Sequence, residues 1–419
     1  MANSLTKQEM VVFEKLVEGF DDALVIAKGA TKFSEGTPQD ASRARDKWWI
    51  PAPMIGRSYD GSDATGHFGD VAQINVPVSV GFWKHSSKAF TANDLRNDFA
   101  LDQWMKGAKQ KLASDVNKSI FDTVALQGGT FSKRTSAATG YDDVADLDTR
   151  FARIGVANGD RMAFYAPSVM NAMAGNLASR SEDSQRSRSA YEKAMIRSDI
   201  AGFEVFKNDQ EILLAAATGG ATTINGANQR TVPAATSVAA TGEEENKDNR
   251  YTDLVITATT YANIKIGDAF TIANVNAVHM VTKQDTGALK TFRVVGKPAA
   301  NTIRVYPAIV FGATDAEVEY QSVSALPANG AALTWLNTTA APVNPFFKRE
   351  SVLLIPGTFE VENGSGVISV NATTELGVQI TYTKQTNINT LLSSCRFDLR
   401  WGTALTNPEL AGAQMFGQA

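Results

Sequence analysis

Cysteine is almost absent from this chain of 419 residues. Cys395 stands alone, which excludes an internal disulfide. It lies in the strand-like run Leu391-Leu392-Ser393-Ser394-Cys395-Arg396-Phe397, where a buried thiol is the simplest reading. Histidine is nearly as scarce: His67, His85 and His279 occur singly, with no cysteine near them, so a structural zinc site is not expected. His85 precedes a long helical stretch and His279 falls in a short strand, and both read as local polar contacts. Catalytic signatures are missing as well. There is no phosphate-binding Gly-rich loop with Lys-Ser/Thr, no His-Glu-x-x-His and no Gly-x-Ser-x-Gly. Asn363-Gly364-Ser365-Gly366 imitates the last but lacks a buried strand before it, and reads as a turn. Acidic residues are spread through polar segments, so no carboxylate pair stands out for hydrolytic chemistry. No enzyme activity, no cofactor and no metal are therefore expected.

Charge of one sign is lacking too. The chain has 40 basic and 44 acidic side chains, a formal net charge of −4. A protein gripping DNA over a broad face shows a basic excess or stripe, so any contact with double-stranded DNA is expected to be weak and non-specific. No apolar run approaches the roughly twenty residues that cross a bilayer. The start, Met1-Ala2-Asn3-Ser4-Leu5, has no basic region followed by an apolar core. No membrane partner is expected, and folding in a reducing cytoplasm is.

What is there is a folded, turn-rich α+β protein. Hydrophobic residues make up 43% and charged residues 20%, and 32 glycines point to many turns and short strands. The length allows a large core and at least one further domain. From about Thr6 to Ala30, Val12, Leu16, Phe20, Ala23 and Ala27 recur at helical spacing, and Thr6 with Glu9 fits a capping box. Two readings stay open for this amphipathic segment: packing on its own domain, or docking on a neighbouring subunit. Trp48-Trp49-Ile50-Pro51-Ala52-Pro53-Met54 and Ile74-Asn75-Val76-Pro77-Val78-Ser79-Val80 read as two extended arms around a glycine-rich excursion, with Pro77 marking an edge or irregular strand.

Residues 93–127 carry the strongest helical signal: Leu95, Phe99, Ala108, Leu112, Val116, Ile120 and Val124 form a stripe, and Gly128-Gly129 stops it. Thr91 or Asn93 suits its cap. Lys106, Lys109, Lys111 and Lys118 alternate with Asp102 and Asp115 here, as a solvated face with spaced ion pairs or as a weak DNA-facing surface. A strand at Arg161–Tyr165, a short helix at Val169–Leu177, another at Tyr191–Ile200 and a strand at Phe203–Phe206 follow. Ala215–Ala240 is Ala/Thr/Gly-rich and leads to the charged run Glu243-Glu244-Glu245-Asn246-Lys247-Asp248-Asn249-Arg250. Short strands then recur at Leu254–Thr257, Ala269–Ile272, Thr291–Val295, Thr302–Tyr306 and Ala316–Tyr320, the pattern of a small β-barrel or sandwich bounded by polar chain. Strand signals resume at Ser351–Pro356, Val378–Tyr382 and Cys395–Gly402.

In this order the segments resemble a known family. Phe90-Thr91-Ala92-Asn93-Asp94-Leu95-Arg96 and Leu392-Ser393-Ser394-Cys395-Arg396-Phe397-Asp398-Leu399-Arg400-Trp401-Gly402, with Ile266-Gly267-Asp268-Ala269-Phe270 and Phe292-Arg293-Val294-Val295 between them, are similar to the major capsid (coat) proteins of P22-like short-tailed bacteriophages. The resemblance implies an HK97-like capsid fold with an inserted small β-barrel domain. Residues 1–35 would be the N-terminal arm, 46–82 the E-loop, and 83–140 the peripheral domain with the spine helix at 93–127. The axial domain would occupy 141–224 and return at 343–360, around an insertion at 225–342, with 361–419 completing the peripheral domain and tail.

It further implies hexamers and pentamers of one chain, a scaffolding protein, a portal protein, an icosahedral procapsid that expands as double-stranded DNA enters, and assembly in the host bacterial cytoplasm. Glu14 and Glu18 would meet basic groups of the scaffold. Glu243, Glu244, Glu245, Lys247, Asp248 and Arg250, net −2, would reach across twofold axes between capsomers; on composition alone the same run is a solvated loop. No N-terminal segment for maturation cleavage is evident, and non-covalent contacts are implied. Another phage structural role, a tail-tube or decoration protein, stays open, as does an enzyme with a composite site; the long helix argues against a tube protein, which is mainly β.

Overall fold

In the computed structural model, the residues described are 13–14, 17, 20, 23–33, 47–52, 56, 58–65, 68, 73–91, 94, 98–180, 200–361, 367–374 and 376–418. The strongest helical periodicity becomes the longest helix, Asp98–Gln127, of 30 residues. At 1.5 Å per residue it runs about 45 Å. Ala108, Leu112, Val116, Ile120 and Val124 are all buried, as the stripe requires, whereas Phe99 is 72% exposed and does not join it. Leu95 and Asn93 lie outside the described residues. Ahead of the helix, Thr91 donates to the Asp94 carboxylate from its N–H (3.0 Å) and its hydroxyl (2.7 Å). The helix stops where expected, and Gly128 is needed for a second reason: a Cβ there would lie 2.7 Å from the Gly412 backbone.

The chain divides into two units. One comprises residues 1–48, 78–121 and 353–404. Its six-stranded sheet contains Val367–Thr373, Gln379–Asn387, Leu392–Leu405 and Phe82–Phe90, with Val352–Pro356 and Thr31–Lys32 extending it. Alternation along Leu392–Leu405 turns Cys395, Phe397, Leu399 and Trp401 inward, and all four are buried. The long helix covers this face: Trp104 packs on Phe397 at 4.8 Å between ring centroids, and the Trp401 indole donates to Ser119 Oγ at 2.8 Å. Cys395 is the expected buried thiol, accepting from the Tyr382 hydroxyl at 3.2 Å.

The N-terminal segment departs from a helix running to Ala30. Phe13, Glu14 and Val17 are helical, but Ala23 to Ala30 is turn and 3₁₀ structure. Asn117 of the long helix explains the change. Its Oδ1 accepts from the N–H groups of Ile26 and Ala27, and its Nδ2 donates to the Ala23 carbonyl, drawing off backbone groups that an α-helix would use. Phe13, Phe20, Leu24 and Ile26 are buried within the chain itself, which favours packing on its own domain for these residues. The proposed Thr6–Glu9 cap lies outside the described residues.

The other unit comprises residues 49–77, 122–352 and 405–419. A five-stranded sheet orders Thr130–Lys133, Ala411–Met415, Asn344–Lys348, Arg161–Tyr165 and Glu204–Lys207. Helices Tyr141–Ile154 and Pro167–Arg180 pack with it over a core that includes Phe151, Phe203 and Phe346. The second helix is longer than the expected Val169–Leu177 because Pro167 suits a first helical turn. The expected helix at Tyr191–Ile200 lies outside the described residues up to 199.

Six strands, Thr222–Ile224, Thr252–Ala258, Ala269–Val278, Asp285–Ala299, Thr302–Tyr306 and Ala332–Trp335, close into a barrel filled by residues such as Leu254, Phe270, Phe292 and Val305. Thr222–Ile224 closes that barrel and lies just before residue 225, the boundary that the resemblance implied. Ala316–Tyr320 is not a strand. Asp315–Glu319 is a short helix, because Thr314 and Glu317 form a reciprocal capping box that outweighs the alternation of side chains. His279 lies one residue past its strand, its Nδ1 accepting from the N–H groups of Val281 and Thr282. The extended arms pair as Trp48–Pro51 with Asn75–Val78, a two-stranded sheet that includes Pro77.

Candidate assembly contacts

The charged run expected to be a tip is half of a β-hairpin. Thr236–Val238 pairs with Glu244–Asn246 in antiparallel register, Ser237 opposite Glu245 and Val238 opposite Glu244. Glu243, Glu244 and Glu245 are exposed. The other three charged residues are engaged inside the chain. Lys247 Nζ donates to the Val232 carbonyl at 2.6 Å, and partial burial lowers its pKa. Arg250 grips Asp248 with two nitrogens, at 2.9 and 2.7 Å, and donates to the Leu405 carbonyl at 2.8 Å. Burial works against the Arg250 charge, but the Asp248 hydrogen bonds and the field of Tyr306 outweigh it, and its pKa is raised. Asn249 between them is buried and exchanges hydrogen bonds with the Ala234 backbone. The hairpin is thus rooted at residues 247–250 and presents three carboxylates to solvent.

Glu14 is exposed beside the buried Phe13, a position from which a carboxylate can meet an external cation. Glu18 lies outside the described residues. On the long helix, Lys106 pairs with Asp102 at 2.7 Å and Lys111 with Asp115 at 2.8 Å, the one-turn spacing of a solvated, charge-balanced face. Among the described residues, no group of three or more His, Cys, Asp or Glu side chains is placed to hold a metal ion, and no helix is long and apolar enough to cross a membrane.

Against known proteins, a family model described as P22 coat protein, gene protein 5, matches residues 1–417. The chain belongs to the P22 coat protein family. It is a phage coat protein of mixed α+β architecture, with a closed six-stranded barrel as its insertion. Solved structures similar to this coat protein include one of Mycobacterium phage Che8, at 10% identity over 93% of this chain and 90% of that one, TM-score 0.43. The capsid of cyanophage P-SCSP1u is 11% identical over 92% of this chain and 85% of that one, TM-score 0.44. The CUS-3 coat protein I-domain is 30% identical over 29% of this chain and 99% of that one, TM-score 0.22.

Sequence reasoning grouped six charged residues as one contact, and the structure divides them into three exposed carboxylates and three side chains engaged within the chain. The signal that separates them was legible in retrospect: Asp248 and Arg250 are two apart on one strand-like segment, close enough to satisfy each other, while the three glutamates have no base among themselves.

Proposed function

We propose that this coat protein assembles, with a scaffolding protein, into an icosahedral procapsid of hexamers and pentamers that expands as double-stranded DNA is packaged through a portal. The family match over residues 1–417 carries this reading. We assign residues 1–35 to the N-terminal arm, 46–82 to the E-loop, 83–140 and 361–419 to the peripheral domain with the spine helix inside it, and 141–224 with 343–360 to the axial domain around the inserted barrel. Glu14 and Glu18 are the proposed scaffold contact, and the exposed acids of the 236–246 hairpin the proposed contact between capsomers. Its role is structural, without a catalytic step, in the virion shell built in the host bacterial cytoplasm. Contact with packaged DNA is proposed as weak and non-specific, since Lys106 and Lys111 on the long helix are balanced by Asp102 and Asp115.

The test is negative-stain microscopy of the protein expressed alone and with the scaffolding protein of its phage. Closed shells of uniform size should form with the scaffold, and aberrant or few particles without it. Stacked-ring tubes, or soluble oligomers alone in both cases, would overturn the proposal.

A further inference from the structure

Beyond barrel strand Ala269–Val278 the chain turns against the end of helix Tyr141–Ile154. The Met280 N–H donates to the Ile154 carbonyl at 2.9 Å. The His279 ring fills the space that a side chain at position 155 would take: a Cβ on Gly155 would lie 2.4 Å from its Cε1. Gly155, at φ +82°, is the left-handed helix stop that allows this approach. Lys283 closes the turn, its N–H donating to the His279 carbonyl at 2.8 Å, with φ of +57°. That conformation is unfavourable for lysine and suits glycine or asparagine. Lys283 is half-buried, and it has no ion pair or side-chain hydrogen bond among the described residues. Burial lowers its pKa; Glu409 pulls the other way, Lys290 adds to the drop and Glu319 opposes it.

A cleft alongside is lined by Arg150 and Arg153 of the helix, Leu289 and Lys290 of strand Asp285–Ala299, and Glu409. Arg150 is matched by Asp146 at 2.8 Å, and Lys290 by Glu409. Arg153 is exposed and has no such pair among the described residues. A cation in the last turn of a helix offsets its macrodipole, which gives Arg153 a local use. Lys283 sits on no helix and loses hydration without a partner. Strain and an unpaired, half-buried charge at one residue mark a candidate site. Two positive charges are left over here, and they decide the ligand class. A terminal or free phosphate carries about −1.5 to −2 charges at neutral pH and three acceptor oxygens, whereas a carboxylate or a phosphodiester carries one charge. The guanidinium fork also matches such an oxyanion in shape.

We propose that Arg153 and Lys283, at the cleft that Arg150 and Lys290 line, bind a phosphate-class dianion that ties the barrel's turn to the end of the helix. Inorganic phosphate is the probe, titrated into unassembled protein at constant ionic strength, with acetate and dimethyl phosphate as single-charge controls. Phosphate should bind saturably in calorimetry and slow amide exchange several-fold in residues 150–156 and 279–284, and the controls at equal concentration should do neither. Lys283→Asn suits the left-handed turn and removes the charge, and Arg153→Gln alters an exposed side chain. Each should keep the wild-type circular dichroism and weaken phosphate binding several-fold, and the two together should abolish it. Absence of saturable binding by the wild type, unchanged binding by either variant, or an equal response to the single-charge controls would overturn the site. If a variant does not fold, the wild-type exchange map decides, since protection confined to other segments also overturns it.

Discussion

Two arginines in this coat protein are equally buried and differently satisfied. Arg161 has its Nη1 on Asp148 at 2.6 Å, its Nη2 on the Val156 carbonyl at 2.6 Å and its Nε on the Ala157 carbonyl at 3.3 Å. Its guanidinium also lies over the rings of Phe151 and Phe203, at 5.4 and 5.6 Å. Among the described residues, Arg293 has one hydrogen bond, from Nη2 to the Ala125 carbonyl, and a cation–π contact with Phe131 at 5.0 Å, while its Nε and Nη1 find no hydrogen-bond partner there. Burial pulls its pKa down to about 10 against the opposing field of Asp268. A depressed cationic pKa means that the ion costs stability at neutral pH, a cost relieved as pH rises through that value. Arg161→Met should therefore destabilise the protein by about 2–4 kcal/mol, since it strips donors from buried carbonyls and breaks a matched ion pair. Arg293→Met should change stability by less than about 1 kcal/mol or raise it, since an ion matched at one nitrogen is replaced by an apolar chain. Urea unfolding of the unassembled protein reads both. Equal losses from the two substitutions would show that unpartnered nitrogens do not set the difference.

At the scale of elements, the barrel makes a definite demand on where it can be cut. Thr222–Ile224 pairs with both Thr252–Ala258 and Ala332–Trp335, so the barrel closes only when it is present. Asn337 then ties the closure, donating from Nδ2 to the Ala215 carbonyl and accepting from the Ala269 N–H at its Oδ1. A fragment of residues 215–342 should show slowly exchanging amides in all six strands, and one of residues 225–342 should exchange faster throughout. Indistinguishable exchange in the two would mean that this strand is dispensable. The same strand shows what the sequence conceals. Thr-Thr-Ile within an Ala/Thr/Gly-rich stretch is too short for alternation to register, whereas Thr302–Tyr306 and the stripe from Ala108 to Val124 announce themselves because their periodicity lasts. Two kinds of element stayed hidden: the helix at Asp315–Glu319, decided by a cap, and the turn after Ala23, decided by Asn117, which is distant in sequence. Of the candidate contacts, the acidic character of the hairpin was legible, and so was the spacing of two that lets Asp248 and Arg250 neutralise each other; that Arg250 also reaches the Leu405 carbonyl was not, because that contact joins residues far apart in sequence.

For the whole molecule, the acidic hairpin is the place where we propose that charge bears on assembly. Its root is fixed by the Asp248–Arg250 pair and the Asn249 backbone contacts. Substituting Asp248 would therefore disturb the hairpin's attachment as well as any contact it makes. Glu244 and Glu245 are exposed, sit on adjacent strand positions and point to opposite sides of the hairpin, so reversing both tests either face while leaving the root alone. One exposed charge pair contributes about 0.2–1 kcal/mol, too little to hold two subunits together. A closed shell repeats the contact at every equivalent axis, and a small bias per contact then selects between the correct curvature and a tube or open sheet. Glu244→Lys with Glu245→Lys should leave circular dichroism and urea unfolding of the unassembled protein unchanged, because neither side chain has a buried role. In shell assembly with the scaffold the same variant should give fewer closed particles, with tubes or misshapen shells among them. Raising the salt should narrow its difference from wild type, since exposed charges more than about 8–10 Å apart are screened at moderate ionic strength. Closed particles at wild-type yield in low salt would show that the hairpin acids take no part in assembly.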